Sequence, residues 1–337
     1  MTWGQKIGID LGTANSVVFV QGRGIVLQEP TVVAVTVDDG KVVAVGNEAK
    51  EMLGRTPDTI TASRPMRDGV IADYVVTEAM LRYFIQKVCG RSFFIKPEVM
   101  ICVPAGCTQV ERRAVEEATS SAGAREVFVI HEPFAAALGA GIQVGEASGS
   151  MIVDMGGGSA EAAVISLGGV VISKSIRVSG NALDDAIATF LRKNYGLIIG
   201  EQTAEQIKLT IGAALVNTSG QALTMRVKGR DNVQGLPKVV EITAAEVEQS
   251  MKPKLMQIVG IVKSVLEEVP PELASDIIDK GIVMSGGTSL LKNLDKLLTQ
   301  ETGVACHVAE EPLLCVAKGT GIALDNLELY KRAISKR

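Results

Sequence analysis

The chain carries the same short pattern twice. Ile7-Gly8-Ile9-Asp10-Leu11-Gly12-Thr13 stands near its start, and Ile152-Val153-Asp154-Met155-Gly156-Gly157-Gly158-Ser159 recurs near its middle. Each begins as an apolar run that reads as a buried strand, then presents an aspartate, glycine and a hydroxyl residue. Each continues into a second β-rich run (17–20 or 162–165), a tight turn at Gly22-Arg23-Gly24 or Gly168-Gly169, and a third strand (25–27 or 170–172). A strand–loop–strand unit present twice predicts two related half-molecules facing one nucleotide. The glycines let backbone N–H groups approach phosphate oxygens. Asp10 and Asp154 put negative charge where a hydrated divalent cation can sit.

The length, 337 residues, suits two domains. Lys and Arg number 34 against 38 Asp and Glu, a formal net charge of −4, which argues against a protein that coats DNA or RNA, so no nucleic-acid partner is expected. Five cysteines without a C-x-x-C pair, and only two histidines, read as reduced cytosolic thiols rather than a zinc site. Charge arrives early, at Lys6 and Asp10, so no signal peptide is expected. No apolar stretch approaches the ~20 residues needed to cross a bilayer. The Ala- and Gly-rich run 133–145 fits a tightly packed internal helix.

Along the chain, strands are expected at 98–103, 126–130, 281–285 and 304–308. Helices are expected at 108–122, with Thr108 and Glu111 as a capping box, at 133–140 with Pro133 in the first turn, at 289–302, and from Pro312 through Gly319. This alternation predicts βαβ crossovers and a largely parallel inner sheet. Between these cores, 31–67 begins β-rich, 181–212 reads as helical and 224–242 as a small antiparallel hairpin. The halves are expected to be joined through helices near 137–148 and again close to the C-terminus.

Gly12, Thr13, Ala14 and Asn15 are placed to cradle a phosphate tail, although an Asp-Gly turn alone would look the same. Gly156, Gly157 and Gly158, before Ser159, spend backbone entropy that only a close approach justifies. A third cluster, Ser285-Gly286-Gly287-Thr288-Ser289, either accepts an adenine or ribose edge or is a plain strand-to-helix turn. Neither G-x-x-x-x-G-K-[ST] nor G-x-G-x-x-G occurs. Glu205 and Lys208, i,i+3 on a helix, are a solvated ion pair or, facing a cleft, a hold on ribose hydroxyls. Glu132, between a strand and a helix, either orients an attacking water or favours the helix dipole.

Taken together these stretches resemble the MreB family, bacterial members of the actin, Hsp70 and sugar-kinase superfamily. The resemblance runs along essentially the whole chain. It is carried by residues 9–15, by Arg64-Pro65-Met66-Arg67-Asp68-Gly69-Val70-Ile71-Ala72-Asp73, by Val110-Glu111-Arg112-Arg113-Ala114, by Thr203-Ala204-Glu205, and by Pro270-Pro271-Glu272-Leu273-Ala274-Ser275-Asp276-Ile277. The last lies outside the nucleotide motifs and separates this family from its distant relatives. The resemblance implies an α/β, actin-like ATPase fold: two duplicated ribonuclease-H-like lobes, each with an inserted subdomain, and a nucleotide in the cleft between them. Lobe I would span 1–145 (core 1–30 and 68–145, insertion about 31–67). Lobe II would span 146–337 (core about 146–178 and 244–325, insertion about 179–243).

It further implies an ATP-dependent, filament-forming, membrane-associated cytoskeletal ATPase that organises cell-wall synthesis and cell shape. By motif position, residues 13–15 and 157–159 would touch ATP or ADP phosphates, Glu205 and Lys208 the ribose, and 286–289 the adenosine. Asp10 and Asp154 would hold Mg²⁺ through water. Glu132 and Ser159 would be catalytic. Three departures from the family pattern, His131, Ser159-Ala160 and Thr288, put the hydrolysis rate in question. Phe93 and Phe94, flanked by Arg91 and Lys96, match the family's membrane-inserting loop or else fill the core. The implied partners are further copies of the chain in head-to-tail protofilaments paired antiparallel, the inner face of the cell membrane, and membrane proteins of the wall-synthesis machinery. The implied location is cytoplasmic and peripheral at that membrane. The alternatives are an ATP-binding structural filament with little turnover, or a chaperone-type ATPase, which would need a peptide-binding domain after the nucleotide domain.

Overall fold

The computed structural model describes residues 5–90, 96–216 and 223–336. Two mixed sheets dominate it. The first runs Gly24–Pro30, Asn15–Val20, Lys6–Leu11, Glu98–Val103, Glu126–His131, Ile334–Lys336. The second runs Gly169–Ile176, Ala160–Ser166, Ser150–Met155, Ile282–Ser285, Cys306–Val308. Counted in chain order within each sheet, both follow the sequence third, second, first, fourth, fifth. In both, the first, fourth and fifth strands are parallel and the first three antiparallel. Even a register slip recurs in the second strand of each, at Val18/Phe19 and at Val164/Ile165. The repeated loops therefore begin equivalent strand pairs in two sheets of one topology.

Each sheet hides a core. On the first, Ile7, Ile9, Phe84, Val99 and Ile101 pack among others. On the second, Met151, Val153, Leu183, Met251 and Ile258 do the same. A third cluster lies between the sheets and takes residues from both, Met100 and Ile130 from one and Ile152 and Ala163 from the other. Two helices, Glu132–Gly139 and Cys315–Asp325, run through it. They cross where a Cβ on Gly319 would strike the Ala135 backbone and one on Gly139 the Cys315 carbonyl. The crossing is backbone against backbone, which only glycine permits.

Insertions interrupt both sheets. After the third strand of the first comes a small sheet of Val33–Thr36, Val42–Val45 and Ile60–Ser63 with the helix Asn47–Met52. After the third strand of the second come the helices Gly180–Tyr195 and Glu201–Ile211 and a sheet of Leu197–Ile198, Thr224–Asp231 and Pro237–Thr243.

Local signals hold closely. The helix Gln109–Ser121 starts at the expected capping box, with Glu111 N–H on Thr108 Oγ1 at 3.2 Å and Thr108 N–H on Glu111 Oε2 at 2.8 Å. Other expectations need correction. The helical stretch 181–212 is two helices, because Gly196 turns left-handed (φ 60°) and the chain enters a short strand. The expected helix 289–302 is a 3₁₀ turn, Gly287–Leu290, and a separate helix Leu294–Thr302 that begins after Asn293 at φ 59°. Pro312 opens a 3₁₀ turn before Cys315–Asp325. Four helices, Asn47–Met52, Tyr74–Cys89, Ala244–Glu268 and Pro271–Lys280, stand where the sequence pattern predicts none. The last strand, inside the stretch 146–337, pairs with Glu126–His131 on the first sheet. Among the described residues no helix is long and apolar enough to cross a membrane.

Candidate functional site

The two repeated loops meet across a cavity of about 300 Å³ between the sheets. The first loop is the turn between Lys6–Leu11 and Asn15–Val20. Thr31 fixes it, donating its hydroxyl to the Gly12 carbonyl (2.6 Å) and its N–H to the Ala14 carbonyl (3.0 Å). Thr13 Oγ1 accepts the Gly69 N–H at 2.9 Å. The second loop closes on itself through Gly156 N–H to the Ser159 carbonyl, 3.0 Å. The Gly156 carbonyl then accepts from the Ser179 and Thr288 hydroxyls at 2.7 and 2.8 Å, and the Gly157 carbonyl from Asn181 N–H at 2.8 Å.

None of the second loop's glycines has positive φ. What they need is room. A Cβ on Gly157 would lie 2.7 Å from Ala14 Cβ, and one on Gly158 would lie 2.8 Å from Gly69 N and 2.9 Å from Asp68 Cα. The close neighbour is the other half of the molecule.

Asp10 and Asp154 both face the cavity. Each is held by the strand beside it. Ser285, the register partner of Asp154, donates its hydroxyl to Asp154 Oδ1 at 2.7 Å. Cys102, one residue beyond the Ile9–Ile101 pair, sets its thiol 3.5 Å from Asp10 Oδ1. Burial raises the Asp154 carboxyl to about 6, against the Ser285 bond. Burial, then the charge of Asp154, raises Asp10 to about 7. Glu132 also lines the cavity, and burial followed by the charges of Glu161, Asp10 and Asp154 pushes it well above the usual carboxylate range. Among the described residues no three His, Cys, Asp or Glu side chains converge as a direct metal-ligand set.

The remaining expected residues divide. Gly12, Thr13, Ala14, Asn15, Gly156, Gly157, Gly158, Ser159, Glu205, Lys208, Gly286, Gly287 and Thr288 all line the cavity. Ser285 and Ser289 do not: Ser285 serves Asp154, and Ser289 Oγ donates to the Gly286 carbonyl at 2.6 Å. Glu205 and Lys208 do not bond each other. Lys208 Nζ reaches Asp184 Oδ2 (2.8 Å) and the Gly180 carbonyl (3.0 Å), while Glu205 pairs across the cleft with Lys50 at 3.3 Å. His131 is outside the cavity; burial, then the charge of nearby Arg112, lowers its pKa. Phe93 and Phe94 lie outside the described residues. Sequence reasoning missed Cys102, Asp184, Asn181 and Lys50, which show no motif of their own.

Two sheets of one topology gripping a cleft between repeated loops define an actin-like fold. The sequence model of the MreB/Mbl protein family matches residues 4–332. The chain belongs to that family. It is 52% identical to the cell shape-determining protein MreB of Escherichia coli over 96% of this chain and 94% of that protein. The structure matches MreB5 of Spiroplasma citri bound to ADP with TM-score 0.90 at 35% identity, covering 96% of this chain and 98% of that one. The AMPPNP-bound MreB5 gives TM-score 0.91 at 34% identity, covering 98% and 99%. The double helical filament of MamK shares the fold, with TM-score 0.81 at 20% identity over 96% and 99%.

Proposed function

We propose that this chain is a filament-forming cytoskeletal protein whose polymerisation is driven by ATP, and that it works at the inner face of the cell membrane to organise wall synthesis and cell shape. The observation that carries the reading is the convergence of Asp10 and Asp154, from two sheets of one topology, on a single cavity walled by both glycine loops. Family membership supports the cytoskeletal role, and the relatives named above include shape-determining proteins and one solved with ADP and with AMPPNP. We divide the chain into two lobes near residue 145, the tail after 315 packing back between them.

The donor set fits a hydrated Mg²⁺. The charge of Asp154 raises the pKa of Asp10, and a cation between the two carboxylates would relieve it. When bound, Mg²⁺ supplies neutralisation of phosphate charge. Gly12–Asn15 and Gly156–Ser159 hold the phosphates. Glu205 and Lys208 take the ribose, and Gly286–Thr288, beside Leu313, the adenosine. Glu132 orients a water and accepts its proton as the oxygen attacks the terminal phosphorus and the bond to the ADP oxygen breaks. A raised pKa suits it to that task. The Ser159 hydroxyl assists from the other lobe.

Head-to-tail contacts do not close and so give open strands; these pair antiparallel. ATP closes the cleft and favours the polymerising shape. Phe93 and Phe94, between Arg91 and Lys96, give each subunit a weak hold on lipid that a filament multiplies.

Sedimentation with ATP, with ADP and without nucleotide tests the coupling: the three pelleting equally would end it. Glu132→Ala is expected to cut phosphate release by about 10²- to 10⁴-fold while nucleotide still binds. A second reading, a filament with little turnover, is favoured by Ser159-Ala160. It predicts that wild type and Glu132→Ala release phosphate equally slowly.

A further inference from the structure

One buried carboxylate has no part in the cavity yet joins the two lobes. Glu161 is fully buried, on the strand that leaves the second phosphate loop, two residues beyond Ser159 and opposite Asp154 in register. Both its oxygens accept the backbone N–H of Ala105, at 2.9 and 3.1 Å. Burial raises the Glu161 carboxyl to about 7, against the lowering influence of Ser175 and of the Ala105 and Gly106 amides. Ala105 belongs to the first lobe, in the loop after Glu98–Val103, the strand that places Cys102 against Asp10.

The neighbourhood is packed to match. A Cβ on Gly106 would lie 2.9 Å from Ser175 Cβ. A Cβ on Gly69 would lie 2.9 Å from Pro104 Cγ and 3.1 Å from Ser159 Oγ. At the rim, Arg177 pairs with Glu111 at 2.7 Å, at the start of the next helix. That rim pair is half-exposed, whereas Glu161 has no water to fall back on. A buried carboxylate is tolerable only with its donors in place, so the Ala105 amide must stay where it is.

We propose that Glu161 is a positioning residue: by clasping the Ala105 amide it fixes the second phosphate loop against the first lobe, and so sets the distance between Ser159 and Glu132 across the attacking water. The proposal rests on the ATPase reading above. It predicts that Glu161 matters for turnover more than for nucleotide binding, because it touches no nucleotide-facing surface.

The test uses the full chain with Glu161→Gln, Glu161→Ala and, at the rim, Arg177→Ala. Phosphate release gives kcat and KM for Mg·ATP, and hydrogen exchange of 104–108 is followed with and without ADP. With one buried donor unpaired, Glu161→Ala is expected to lose about 10- to 100-fold in kcat with KM within about threefold, and exchange at 104–108 rises about tenfold and no longer slows with ADP. Glu161→Gln keeps one acceptor and recovers part of both, and Arg177→Ala stays within about twofold of wild type. Should Glu161→Ala not fold, Glu161→Gln decides alone. Wild-type kcat in that variant, unchanged exchange at 104–108, a fall in kcat matched by the rise in KM, or an equal loss in Arg177→Ala each overturns the proposal. A wild type that releases no phosphate counts against the ATPase reading instead, and the exchange response to ADP still decides the clasp.

Discussion

The two repeated loops share one pattern but are supported differently. The first has a single glycine, Gly12, and is braced from its own lobe by Thr31. The second has three glycines and is braced by Ser179, Thr288 and Asn181. Its glycines make room for the first loop and the turn beside it, since side chains there would strike Thr13 and Ala14 of the loop and Asp68 and Gly69 of the turn. The aspartates differ likewise. Asp154 is 5% exposed and takes a hydroxyl bond from Ser285, while Asp10 opens further to the cleft and meets a thiol at 3.5 Å. A duplicated loop can keep its backbone course while its glycine count records which copy yields space to the other.

The largest expected effect breaks this comparison inside one loop. Gly158→Ala drives a Cβ into the Gly69 backbone, whereas Gly156→Ala meets nothing nearer than the Ser159 carbonyl at 3.7 Å. Overpacking of about 1–3 kcal/mol lowers the Tm of the nucleotide-free protein by several degrees for Gly158→Ala and by under about one degree for Gly156→Ala. Equal Tm values in a thermal melt would show that the glycines serve only the ligand.

The next effect concerns charge. Asp10 sits at about 7 and Asp154 at about 6 in the folded protein, both above the ordinary aspartate value of 3.8. The folded state therefore binds more protons than the unfolded one in this range. The stability these groups contribute is full below their unfolded pKa and is lost as pH rises through their folded values. Without metal or nucleotide, Tm is expected to fall between roughly pH 4 and pH 7 and to level above, and Mg·ADP to flatten the slope. Asp10→Asn should remove more of the slope than Asp154→Asn. A Tm that climbs over this range contradicts the burial of these groups.

The smallest effect compares the two supports. Ser285→Ala strips Asp154 of a buried hydroxyl donor and is expected to weaken Mg·ADP binding by about three- to tenfold. Cys102→Ala removes a weak donor from a carboxylate nearer the open cleft and should stay within about twofold. Titration calorimetry of the two variants checks the order; a larger loss from Cys102→Ala would reverse it.

What could be read from the sequence was what is local. The capping box at Thr108 and Glu111 and the glycine loops declare themselves within a few residues. The supports of the aspartates do not, because Cys102 and Ser285 reach them through parallel strand register across long stretches of chain. The same holds for Lys208, whose partner Asp184 lies on another helix, and for Glu205, whose partner Lys50 comes from the opposite insertion. The expected helix over 289–302 failed for a related reason. Asn293 in the left-handed region splits a run whose composition suits a helix, and the Ala213 bridge to Lys292 holds the split open.

The meeting of Glu132–Gly139 with Cys315–Asp325 has a mechanical consequence. Where carbonyl rests on glycine, no side chain is left to slide past or swap rotamers, so the joint has no play along its length. Swivelling about the contact is the only movement that keeps it intact. Displacements near the pin are then small and grow with distance from it, and the widest travel falls to the outer insertions, where Lys50 meets Glu205.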